Sequence, residues 1–159
     1  MMLMVIAMLL SFLLSTAFAK DLDGRYAVGM NSWFGPTPSV SARYAVPMPK
    51  NVMETQIEIN FGFATDPASA SNLNLGARGL YAIVVEDNMN LMIGGGAGFL
   101  MLNGTPALRL QPSMEIQYFL LGLDNLSFTT GAGINLDMGP GNNAVGVTGQ
   151  VLGGFHYWF

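Results

Sequence analysis

The chain contains no cysteine. That excludes disulfides, thiolate zinc sites, cysteine nucleophiles and a lipid-modified cysteine anchor. A single histidine excludes a histidine-rich metal site. Charge is scarce as well: 10% of the residues are Asp, Glu, Lys or Arg, against roughly 25% in an ordinary soluble domain. Much of the surface is therefore expected to face something other than water. The six Lys and Arg against ten Asp and Glu leave a net charge of −4, so there is no basic surface for nucleic acid. Neither a cofactor nor a metal is expected. At 159 residues the chain is long enough for one domain.

What the chain has in quantity is alternation. From Ala144 to Phe159 every second residue (Val145, Val147, Gly149, Val151, Gly153, Phe155, Tyr157, Phe159) is apolar or small. The intervening set carries the polar groups Thr148, Gln150 and His156. A period of two means an extended strand with two unlike faces. Seven earlier segments repeat the pattern: Arg25–Phe34, Ser39–Val46, Met53–Ala64, Leu73–Val84, Met89–Met101, Leu108–Leu120 and Leu126–Met138. They are separated by Pro36 and Pro38, Pro47–Lys50, a polar loop over Asp66–Asn72, Glu86–Asn88, Asn103-Gly104, Leu121–Asn125 and Pro140–Asn143. Residues 88–108 are uncharged and long enough to suggest a membrane helix. The glycines at 94, 95, 96 and 98 and the period of two argue for two strands instead.

The first nineteen residues differ. An apolar run from Met2 to Leu14 precedes Ala17-Phe18-Ala19, a small-residue cleavage pattern. This reads as a secretory signal peptide over 1–19, with the folded domain over 20–159. The alternative is a single N-terminal membrane anchor, for which the run is short.

With Phe155, Tyr157 and Phe159 alternating to an aromatic end, the last segment resembles the closing strand of bacterial outer-membrane β-barrels. The even set of eight segments extends the likeness to the small barrels of the OmpA and OmpX type. The resemblance implies an all-β, eight-stranded antiparallel up-and-down transmembrane barrel with short loops. It also implies a Gram-negative outer-membrane location with both termini periplasmic, contact with outer-membrane lipid, and recognition of Phe155, Tyr157 and Phe159 by the barrel assembly machinery. Long extracellular loops, on which adhesion and receptor roles in such barrels rest, are not apparent.

Alternation alone does not say which face looks outward. A secreted lipocalin-like barrel would hold the apolar face inside. Two features favour the opposite sense. The polar face carries Gly94, Gly96, Gly98, Gly131 and Gly133, which suits a crowded inner wall and would weaken a solvated outer one. Tyr26, Tyr44, Tyr81, Tyr118 and Tyr157 all fall on the apolar face and toward the terminal end of the strands. That is the placement of an aromatic girdle at a membrane interface. Trp33, Phe61, Phe63 and Phe99 are expected near the opposite rim.

The lumen face should then carry Gln56, Asn60, Gln111, Glu115, Gln117, Asn135, Gln150 and His156. Turn positions set register, and register sets cross-strand partners. A turn at Met48-Pro49 places Arg43 opposite Glu54. A loop near Ala68 places Glu58 opposite Arg78, and a turn near Leu123 places Arg109 opposite Asp137. Eight strands enclose a lumen that side chains can fill. The expected role is accordingly structural, with at most weak conductance of small solutes. Two other classes remain: a lipid-modifying enzyme using Ser127 and His156, and a membrane partner of an envelope complex.

Overall fold

The structure is a computed structural model. It describes residues 21–35, 38–49, 54–66, 69–102, 105–140 and 144–159. The proposed signal segment lies outside these residues, as does the side chain of Gln150.

Eight strands account for the regular structure: β1 (Tyr26–Asn31), β2 (Ser39–Val46), β3 (Thr55–Asp66), β4 (Ser69–Glu86), β5 (Met89–Leu102), β6 (Thr105–Leu120), β7 (Leu123–Met138) and β8 (Ala144–Trp158). Each pairs antiparallel with its neighbours, and β1 pairs with β8, closing a barrel in sequence order. Closure leaves no free sheet edge along the paired rows, which is how an antiparallel sheet of this size avoids edge-to-edge aggregation.

Several boundaries differ from expectation. β1 stops at Asn31, three residues early, because the chain turns inward there. β3 and β4 run closer together than a loop over 66–72 would allow: Asp66 pairs with Ser69. The β6–β7 turn is reduced to Leu121 and Gly122, with Leu120 facing Leu123. Gly122 has φ +82°, a conformation side chains disfavour. A register shift between Ala82 and Val84 moves Val84 to the outer face opposite Leu91. The wall is uneven in height. β1 and β2 have 6 and 8 residues, whereas β4, β6 and β7 have 18, 16 and 16.

The sense of the faces is unambiguous. Ile57, Ile59, Phe61, Phe63, Leu75, Leu108 and Met114 are at least half exposed on the outside. Arg43, Glu58, Arg78, Glu115, Gln56, Gln117 and His156 are buried inside. This is the reverse of a lipocalin-like arrangement.

Candidate functional site

The lumen is where the unusual chemistry lies. Its centre is a closed ring of four charged side chains. Arg43 bonds Glu58 through Nε and lies 2.7 Å from Glu115 Oε1 through Nη1. Arg78 Nη2 lies 2.8 Å from Glu58 Oε2 and 2.6 Å from Glu115 Oε2. Each cation touches both anions, and all four side chains are at most 1% exposed. They come from β2, β3, β4 and β6, so the ring ties one side of the barrel to the other. Charges this deep are tolerated only when paired and hydrogen-bonded. Asn31 Nδ2 adds a hydrogen bond to Glu58 Oε1 at 2.5 Å.

Register explains which charges meet. Glu58 faces Arg78 and Arg109 faces Asp137, the two pairs expected; the second is reached through the register shift between Phe119 and Leu120, since the turn itself lies at Leu121-Gly122. Arg109 grips Asp137 with two parallel bonds, Nε to Oδ1 at 2.6 Å and Nη2 to Oδ2 at 2.7 Å. The third expected pair is corrected: Arg43 faces Glu58, not Glu54. β2 ends at Val46 and β3 begins at Thr55 opposite it, so the connection is centred beyond Met48-Pro49. Glu58 thus serves two arginines, and Glu115, expected only as a polar lumen residue, becomes the fourth member. Glu54 sits lower, at the rim that also holds the described ends of the chain, called here the terminal rim. Its carboxylate accepts from Gln56 Nε2 and from Asn90 Nδ2. Burial pushes the Glu54 carboxyl above its ordinary value, against the lowering effect of the Gln56 hydrogen bond, and nearby Asp23 adds to the rise.

Amides extend the ring in both directions. Toward the terminal rim, Gln56 Nε2 donates to Gln117 Oε1 at 2.9 Å, which also accepts from Asn90. Toward the far rim, Gln111 Nε2 donates to Asn135 Oδ1 at 2.6 Å. Asn60 is buried beside Glu58.

Apolar layers cap both ends of this polar stack. At the terminal rim, Leu22, Ala27, Ala45, Phe119 and Trp158 form one cluster. The segment before β1 folds across the mouth, with Gly24 N donating to Ala45 O at 2.9 Å. At the other end Trp33, Phe34 and Leu100 form a second cluster. Trp33 corrects the expectation of an outward rim position: it is 1% exposed, and Phe34 is fully buried. After Asn31 the chain enters the lumen, held by Gln111 Nε2 donating to Trp33 O at 2.8 Å and Arg109 Nη1 donating to Phe34 O at 2.7 Å. Arg78 lies 4.0 Å from the Trp33 ring centroid. Trp33 shares the odd parity of Ala27, Gly29 and Asn31, a signal that pointed inward.

On the outside, Tyr26, Tyr81, Tyr118 and Tyr157 are exposed and Tyr44 is half-buried, stacked on Tyr26 at 4.7 Å. Tyr157 packs edge-on against Phe159 at 5.2 Å, and Phe155 is exposed on the same face.

Ser127 and His156 are cross-strand neighbours, facing each other across β7 and β8 as the alternation implies. The histidine, however, uses Nε2 on Ser41 Oγ at 2.7 Å, while Ser127 Oγ accepts from Trp158 Nε1 at 2.9 Å. Ser41, Ser127 and His156 are at most 1% exposed. Among the described residues no group of three or more metal-ligating side chains occurs.

Comparison with known protein families, curated proteins and solved structures finds no match for this chain.

Proposed function

We propose that this chain is an integral outer-membrane barrel of a Gram-negative envelope, exported by its N-terminal segment, with a structural role and a lumen closed to solutes. The observation that carries this reading is the inversion of the faces. Bulky apolar side chains, among them Ile59 at 59% and Leu108 at 57% exposure, cover the outside, while the described buried charges are inside. In water such a surface would aggregate; in a hydrocarbon layer it is the expected one. A closed barrel also satisfies its backbone groups internally, as a bilayer requires. The exposed tyrosines toward the terminal rim fit an interfacial girdle, with both termini periplasmic and Phe155, Tyr157 and Phe159 available to the assembly machinery.

Spin labels test the placement. On single cysteines at Ile59, Leu110 and Ile134, labels should be relaxed by lipid-soluble oxygen. At Asn60, Gln111 and Asn135 they should be shielded from it. Water exposure of the first set in reconstituted vesicles would overturn the membrane reading.

A further inference from the structure

The central ring offers more hydrogen-bonding groups than the protein satisfies. Arg43 Nη2, Arg78 Nε and Nη1, both amide atoms of Asn60, Thr129 Oγ1 and His156 Nδ1 have no partner among the described residues. All five residues are at most 4% exposed. These atoms are not scattered. Asn60 is one inward step from Glu58 on β3 and faces Ser41, whose hydroxyl meets His156. Thr129 Oγ1 lies beside Gly154 and Asn31: a Cβ on Gly154 would come within 3.0 Å of that hydroxyl and 2.7 Å of Asn31 Cβ. Asn31 in turn donates to Glu58. The unpartnered atoms therefore belong to the ring and to the layer that adjoins it.

We propose that this layer is a binding site for a cluster of water molecules, held by Arg43, Arg78, Asn60, Thr129 and His156. The balance of donors and acceptors selects water over an ion. The guanidinium nitrogens and Asn60 Nδ2 only donate, whereas Asn60 Oδ1 only accepts, and the Thr129 hydroxyl does either. An anion would serve the first group and leave the second unsatisfied. A cation would do the reverse, next to two guanidiniums. The charges of the ring already cancel, two Arg against two Glu, so any added ion would stand uncompensated in a low-dielectric interior. Water donates and accepts, and buried polar sites of this kind hold it with about three hydrogen bonds per molecule. The apolar clusters above and below slow its exchange with bulk. The inference concerns the interior and is independent of where the barrel resides.

Nuclear magnetic resonance on the full chain, labelled with 15N-arginine and folded in detergent micelles, tests it. The Arg78 Nε–H should show a cross-peak to water with the sign of a long-lived bound molecule. Thr129→Val, which keeps the shape and removes the hydroxyl, should weaken that cross-peak at least twofold while preserving the folded spectrum. Absence of the cross-peak in the folded wild type would overturn the site. So would an unchanged cross-peak in Thr129→Val. A saturable shift of the Arg78 resonance on adding bromide would overturn water in favour of an anion.

Discussion

At the scale of single residues, the central ring sets the energetics. Removing one member leaves a buried charge with half its partners gone, which costs up to about 3–5 kcal/mol and less where bound water can take the missing partner's place. Glu58 bonds both arginines and Asn31, so Glu58→Ala and Arg78→Ala should each destabilise the barrel toward that range. The double variant should lose less than the sum, since the two share one bond. Urea unfolding in detergent gives the cycle, and strictly additive losses would show that the ring is not a unit. Arg109→Ala should cost less, because Asp137 is 21% exposed and rehydrates. Glu54 supplies a pH effect of opposite sense to a salt-bridged carboxylate. Its raised folded-state value means that the native chain binds a proton more tightly than the unfolded chain. The associated stability is present at low pH and is lost as pH rises through the folded value. Glu54→Gln should remove that loss, and unfolding at a series of pH values from 4 to 7 should show a flatter profile than wild type. A steeper one would contradict burial as the cause.

At the scale of elements, period two was enough to find all eight strands, because each wall residue sees either the packed interior or the outside and nothing between. The polar loop over Asp66–Asn72 and the turn over Leu121–Asn125 gave two of three registers. The third failed because Pro47, Met48 and Pro49 read as a tight turn, although the connection runs on to Glu54. Glu54 and Glu58 have the same parity, so facing alone could not choose between them. The inward turn of Phe34, on the outward parity, was hidden for a different reason. It is a tertiary event, permitted by small residues on other strands. Three atoms of the Phe34 ring lie 2.7–3.0 Å from where a Cβ on Gly76 would stand. Gly76→Ala should therefore destabilise the barrel by displacing Phe34, with a cost of about 1–3 kcal/mol for overpacking. Phe34→Ala alone should cost about 3–5 kcal/mol. Combining the two should cost less than their sum, because the methyl then enters space the ring has left. Additivity in thermal or urea unfolding would mean that Phe34 does not occupy this glycine-lined seat in solution.

At the scale of the whole molecule, three closures stand in series along one axis. The Leu22–Phe119–Trp158 layer closes the terminal rim, the Arg–Glu ring fills the middle, and Trp33 with Phe34 closes the far end. Their chemistry differs: two are apolar, while the middle one is charged and cross-linked. Resistances in series are governed by the largest, so lesions in one layer leave the others in control. Single-channel recording should thus find wild-type protein essentially closed. Trp33→Gly with Phe34→Gly should also remain closed, because the Arg–Glu ring and the terminal layer persist. Removing charges from the ring alone should behave likewise. Combining Trp33→Gly and Phe34→Gly with Leu22→Gly and with Glu58→Ala and Arg78→Ala should open a measurable, cation- and anion-permeable path, since the net charge of the ring is zero before and after. A large steady wild-type conductance would show that the lumen is not closed. Full opening by the Trp33 and Phe34 lesions alone would show instead that the far end is the sole barrier, and that the ring contributes stability without blocking the way.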